Sequence, residues 1–227
     1  MFKINIFIRT NIEQMKKDEI IGLLCAEYPS LKSLKEELAR AANLITDCYE
    51  KGGKLLLCGN GGSSADADHF AAELMKSFET ARPLDKSLKE RLAGISDSRG
   101  NYLGEKLEHA LPAISLPSNS ALTSAISNDT GPSLVFAQQI IGFGNEGDVL
   151  VALSTSGNSC NVVDACITAK ALNLNVIGLT GESGGEIKEF CDVLINVPEK
   201  KTARVQELHL PVIHALCRIS ENHFYKK

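Results

Sequence analysis

The sequence has no excess of basic residues. Its 24 Lys and Arg stand against 28 Asp and Glu, a net charge of -4, which leaves no electrostatic footprint for nucleic acid or an anionic membrane surface. A small-molecule ligand is the better expectation. There is no C-x-x-C pair either. The seven cysteines (Cys25, Cys48, Cys58, Cys160, Cys166, Cys191 and Cys217) are odd in number and lie mostly in apolar stretches, so neither a disulfide framework nor a zinc knuckle is indicated, and the compartment reads as reducing. No apolar run approaches the length of a membrane span, and the opening MFKINIFIRT is broken by Lys3, Asn5 and Arg9, too short and too polar for a signal segment. The expected location is the cytoplasm. Met15, followed by a clear helical pattern, reads as an alternative start that would leave the first residues as a loose tail.

What is present is an ordinary globular composition, 44% hydrophobic and 23% charged over 227 residues, enough for one well-buried domain with an appended helical piece. From Glu13 to Gly52 the positions Ile20, Leu23, Leu24, Leu31, Leu34, Leu38, Leu44 and Ile45 recur at helical spacing, with Pro29 between two segments. This N-terminal helical segment, 1–52, is separated by Gly52-Gly53 from a region of different texture, 53–227. There KLLLCG, PAISL, DVLVALS, LNVIGLT and DVLINVP are short continuous apolar runs, as parallel strands buried on both faces require. Helical patterns alternate with them over Ser64–Thr80, Ser120–Ser127, Ser159–Asn173, Glu182–Phe190 and Thr202–Phe224. The alternation predicts a doubly wound α/β domain of about five parallel strands, with ligands beyond the strands' carboxyl ends. Asp85 to His109 breaks the rhythm as a charged, helical, Gly-containing insertion. Tyr49 and Glu50 read as solvated surface.

Two strand ends carry the same chemistry: CGNGGSS (Cys58–Ser64) and STSGNS (Ser154–Ser159). Glycines let backbone N–H groups approach an anion, hydroxyls add donors, and each following helix contributes its N-terminal dipole. A single such cluster is more commonly a turn and helix cap; two on one edge of the sheet suggest an uncharged phosphate cradle. Neither contains the lysine of a nucleotide-binding P-loop, nor the G-x-G-x-x-G spacing of a dinucleotide site, so a phosphorylated metabolite is favoured over ATP or NAD.

On the helix leaving the first cluster, His69 and Glu73 share a face. In the last helix, Gln206, Glu207, His209 and His214 interrupt an apolar stretch, and Gln206 and His214 could look into one cleft. The plain alternative there is a core histidine satisfied by a backbone carbonyl. Pro211 should bend this helix. Asp66 and Asp68 read as first-turn acids with no chemistry.

The stretches CGNGGSSADADHFAAEL, STSGNSCNVV, GLTGESGGEI and ARVQELHLPVIHALC resemble, in this order, the phosphoheptose isomerases of the sugar isomerase (SIS) domain family. The resemblance implies a flavodoxin-like three-layer α/β/α sandwich with a five-stranded parallel sheet and N-terminal helices, assembled as a homotetramer with active sites between subunits. It implies substrate binding by Asn60, Gly61, Gly62, Ser63, Asn119, Ser154, Thr155, Ser156, Ser159 and Gln206, with Glu73 as catalytic base and His214 as its acid/base partner. It also implies a zinc ion held by His69, Glu73, Gln206 and His214. The expected reaction is conversion of sedoheptulose 7-phosphate to D-glycero-D-manno-heptose 7-phosphate, for surface-polysaccharide precursors. Two departures stand out. The Asp85–His109 insertion is absent from compact members and reads as a solvated cap, or as a lid or altered subunit contact that changes which sugar fits; and Asn119 replaces an Asp that many members have, so no ionic role survives there. Other readings are an isomerase of another phosphoketose, a non-catalytic relative that binds a replication initiator protein, and a sugar-phosphate-sensing regulatory module.

Overall fold

The structure, a computed structural model, describes residues 17–225; the expectations about Met15 and the opening stretch lie outside them. Helix α1 (Lys17–Glu27) ends where Tyr28, extended at φ -119° ahead of Pro29, cannot continue a helix. A 3-10 segment, Pro29–Leu34, then leads into α2 (Lys35–Glu50).

The apolar runs form one parallel sheet of five strands: β1 (Leu55–Gly59), β2 (Ala113–Ser115), β3 (Val149–Leu153), β4 (Asn175–Thr180) and β5 (Val193–Asn196), in the order β2-β1-β3-β4-β5. Every residue of β1 and β3 is buried, because the pleat sends Leu55 and Leu57 to one covered face and Leu56 and Cys58 to the other. On the first face lie α1, α2, α3 (Gly62–Met75) and α9 (Thr202–Tyr225); on the second lie α6 (Ser120–Asp129), α7 (Val135–Phe143) and α8 (Cys160–Ala171). This is a flavodoxin-like α/β/α sandwich. Ile20, Leu38 and Ile45 of the first two helices share one core with Leu57, Phe70 and Leu216.

Four local expectations need correction. The pattern over Glu182–Phe190 yields only a 3-10 turn, Glu186–Glu189, because Gly184 and Gly185 both adopt positive φ (74° and 58°) and break the helix ahead of it. The helix expected to reach Thr80 stops at Met75. Helix α7 was not anticipated: VFAQQIIGF is only nine residues long and mostly apolar, and so short an apolar run does not separate a helix from a buried strand. Tyr49 is buried rather than solvated, edge-to-face with Phe224 at 6.0 Å, since it continues the inward stripe of α2 beyond Ile45; Glu50 is exposed beside His223.

The insertion folds as a helical hairpin, α4 (Lys86–Ile95) and α5 (Asp97–Lys106), with Asp85 capping α4 by accepting from Leu88 N–H at 2.9 Å. Its two helices close on each other through Gly100, where a Cβ would lie 1.9 Å from the Leu92 carbonyl oxygen. At its base Pro83 bridges Glu108, and His109 N–H donates to the Arg82 carbonyl at 2.7 Å.

Among the described residues no helix is long and apolar enough to cross a membrane. His209 of α9 is the core histidine: fully buried, its Nε2–H donates to the Thr180 carbonyl at 3.3 Å while Nδ1 has no partner. Burial pushes its pKa down to about 4. The unfolded chain therefore takes up a proton below about pH 6.5 that the native state refuses, so this contribution to stability is complete above that pH and is lost as pH falls towards 4. Between pH 7 and pH 4 the native protein should lose about 3 kcal/mol more than its His209→Gln variant, measured by urea unfolding at each pH; equal losses would refute this origin.

Candidate active site

In the sheet Gly59 pairs with Leu153, so the loops that follow β1 and β3 emerge side by side. The first turns tightly because Gly59 has no side chain: a Cβ there would lie 2.6 Å from the Ser63 carbonyl oxygen. Ser63 is thereby tucked inward, and Gly61 takes φ 56° to start α3. In the second loop Ser154 is buried and donates its hydroxyl to Ser159 Oγ at 3.2 Å, while Asn158 N–H donates to Ser156 Oγ at 3.1 Å; Thr155 is half-buried between them. The amides of Asn60 and Asn161 exchange two hydrogen bonds, at 2.8 and 2.9 Å, and tie the loops together.

The loop after β4 serves as a buttress. Gly157, at φ 70°, lies so close to it that a Cβ would sit 2.1 Å from the Gly184 carbonyl oxygen, and Ile187 N–H donates to the Gly157 carbonyl at 3.0 Å. Hydroxyls and the N-termini of α3 and α8 thus converge at one end of the sheet, an arrangement suited to a phosphate monoester without a fixed cation. Asn119 begins α6, its Oδ1 accepting from Leu122 N–H at 3.1 Å. Asp68 is not a first-turn acid: it lies in the second turn of α3, and its carboxylate accepts from the Ser115 and Ser118 hydroxyls of the β2 loop. Asp66 is also beyond the first turn; burial raises its pKa, and neighbouring His69 opposes the shift.

Against this cradle lies the contact between α3 and α9. Gln206 packs on Gly62, where a Cβ would come within 2.5 Å of its Nε2. Further along both helices His69 Nε2 lies 2.9 Å from His214 Nε2, and Glu73 Oε1 lies 3.9 Å from His69 Nε2. Lys76 stands 3.3 Å from Glu73 Oε2. Phe78 covers the His214 ring at 5.4 Å, and Arg218 grips Glu79 beyond it with two bonds, at 2.8 and 2.5 Å. Burial, then the neighbouring His69, lower the His214 pKa, with Glu73 pulling the other way. A neutral imidazole at neutral pH is able both to give and to accept a proton. A cleft of about 530 Å³ opens beside it, lined by Leu23, Tyr28, Pro211 and Arg218.

Two imidazoles, a carboxylate and an amide are donors of the kind that zinc takes. As the side chains stand, no three His, Cys, Asp or Glu among the described residues form a metal cluster; the set fits in kind, with Glu73 turned also towards Lys76.

Sequence reasoning missed Arg82, Glu221 and Asn161. Glu221 did leave a signal, an acid on the same stripe of α9 as Ile213 and Cys217, where only a paired carboxylate is tolerated. Nothing distinguished Arg82 or Asn161 from surface residues.

The SIS domain family model matches residues 29–109 and 99–181. The phosphoheptose isomerase of Campylobacter jejuni is 42% identical over 191 residues, covering 84% of this chain and 89% of that one. That of Helicobacter pylori is 38% identical over 216 residues, covering 95% and 99%. Among solved structures, the phosphoheptose isomerase of Francisella tularensis superposes with a TM-score of 0.71 at 34% identity, covering 88% of this chain and 92% of that one. That of Neisseria gonorrhoeae gives 0.67 at 39%, covering 85% and 89%.

Two glycines of the site should respond differently to alanine. Gly157→Ala meets backbone at positive φ and should cost about 2 kcal/mol, weakening inorganic phosphate binding about tenfold. Gly62→Ala meets only the tip of Gln206 and should cost under about 1 kcal/mol. Thermal unfolding and phosphate calorimetry on both variants check this; comparable losses in the two would show that the interlocked loops are not what shapes the cradle.

Proposed function

This chain belongs to the SIS domain family, and from that premise we propose that it is a phosphoheptose isomerase, converting sedoheptulose 7-phosphate to D-glycero-D-manno-heptose 7-phosphate. The observation that carries the reading is the meeting of His214 of α9 with His69 and Glu73 of α3, helices far apart in sequence, beside a hydroxyl-rich cradle.

The phosphate is held by Ser63, Ser154, Thr155, Ser156 and Ser159 with the backbone of Asn60, Gly61 and Gly62, and the sugar extends past Asn119 and Gln206 towards His214. Moving the carbonyl from C2 to C1 is a redistribution of protons. Glu73 removes the C1 proton, the electron pair forms the C1–C2 double bond, and the C2 oxygen takes a proton from His214. The enediol then returns its C1 hydroxyl proton to His214 while Glu73 delivers its proton to C2, so both groups end as they began. The Glu73 side chain is only 16% exposed, which limits loss of the carried proton to water. His69, Glu73, Gln206 and His214 would hold a zinc ion, which when bound supplies polarisation of the carbonyl and stabilisation of the enediolate.

A homotetramer with active sites at subunit interfaces is part of the same proposal, supported by the exposed Leu23 that lines the His214 cleft. The cytoplasmic reading is supported by seven free thiols. The replication-initiator-binding alternative gives no reason for a carboxylate and two histidines to meet.

Incubated with sedoheptulose 7-phosphate and followed by NMR, the wild type should form the aldose, and Glu73→Gln and His214→Asn should each lose at least about a hundredfold in kcat while still binding phosphate. Loss of turnover on chelation, restored by zinc, would establish the metal. Wild-type protein inert on this ketose with zinc supplied would redirect the assignment to another phosphoketose or to binding alone.

A further inference from the structure

Glu73 stands in the last turn of α3, where helix carbonyls have no partner within the helix. Two of them are taken here by one side chain: Arg82 donates from Nη1 to the Leu74 carbonyl at 2.6 Å and from Nη2 to the carbonyl of Glu73 itself at 3.2 Å. Its Nε–H donates to Glu221 Oε1 at 3.0 Å, and the guanidinium lies over the Tyr225 ring. Neither Arg82 nor Glu221 has side-chain contact with water. The Glu221 carboxylate also accepts the backbone N–H groups of Phe78, Glu79 and Thr80, at 2.8, 2.7 and 2.8 Å. His214 lies two turns before Glu221 on the same helix, and Phe78, fixed by that carboxylate, is the ring that covers its imidazole.

One buried ion pair therefore ties together the backbone of the base, the wall of its partner and the helix from which that partner projects. We infer that Arg82 and Glu221 are positioning residues of the isomerisation, setting Glu73 against His214 without touching substrate. The inference rests on the reading of Glu73 and His214 as the proton-transferring pair. A planar fork with three N–H groups in use is what the geometry demands, and a lysine in its place supplies charge without the fork. The cradle hangs on other loops, so the pair bears on the chemical step rather than on phosphate affinity.

Arg82→Lys and Glu221→Asp keep both charges, so neither leaves a buried charge unpaired. Each should lower kcat on sedoheptulose 7-phosphate at least about tenfold with KM changed less than about threefold, measured well below its thermal midpoint. With substrate deuterated at C1, the share of deuterium recovered at C2 of the product should also fall, a ratio that does not depend on how much enzyme is folded and that a staple for the loop alone would not move. Whichever variant folds decides. A kcat within about twofold of the wild type together with an unchanged deuterium share overturns the inference. If the wild type itself does not turn this ketose over, it is the functional reading that falls.

Discussion

The Glu221 carboxylate has no access to water, and its cost is met by four hydrogen bonds: three backbone N–H groups and the Arg82 guanidinium. Breaking such a pair by removing one partner costs about 3–5 kcal/mol, because the survivor is left charged and unsolvated. That constraint fixes how α3 ends and how the following segment crosses α9. Hydrophobic burial brings the two helices together but is indifferent to sliding by part of a turn; the directional bonds to Glu221 are not. The meeting of His69 with His214 at 2.9 Å therefore depends on polar bonds made two turns further along α9.

The cradle is built on a different principle. Its loops are held by close approach of backbone to backbone, Gly59 on Ser63 and Gly157 on Gly184, and by the paired amides of Asn60 and Asn161. Hydroxyls and N–H groups there are already oriented before an anion arrives, so little ordering is required on binding. With no lysine or arginine in either loop, any attraction these loops exert on an anion comes from dipoles at short range, in keeping with a chain whose net charge is -4. The cradle and the contact of Glu73, His69 and His214 are thus held by separate parts of the fold, joined where α3 begins in the cradle and ends beside Arg82.

That division explains what the sequence disclosed. The buried strands were legible because β1, β3 and β4 are covered on both faces and so read as unbroken apolar runs. The two loops were legible as a pair because Gly/Ser clusters, each alone readable as a turn, follow two strands on one edge of the sheet. His69 and Glu73 stood out as a pair one turn apart on the helix leaving the first cluster, Gln206 and His214 against apolar neighbours, and the family resemblance joined the four. Arg82 did not, because a lone arginine ahead of Pro83 is indistinguishable from a solvated one until its partner on α9 is in place, 139 residues away. At Gly184 and Gly185 the glycine pair was itself a local signal against a helix over Glu182–Phe190, whereas their close approach to the β3 loop left no trace in the sequence.

The same separation accounts for where the chain carries its insertion. The α4–α5 hairpin leaves immediately after Arg82 and returns at Glu108 and His109, its ends joined by the Pro83–Glu108 bridge. An insertion whose ends are already adjacent adds little closure cost to the parent fold. Arg82 and Glu221 pin the chain just ahead of that point, and at the far end Glu108 accepts the Ser77 N–H at 3.0 Å, so both ends of the hairpin are tied to the segment that follows α3. Placed one step earlier, between Glu73 and Arg82, the same residues would have separated Glu73 from the guanidinium that caps its helix.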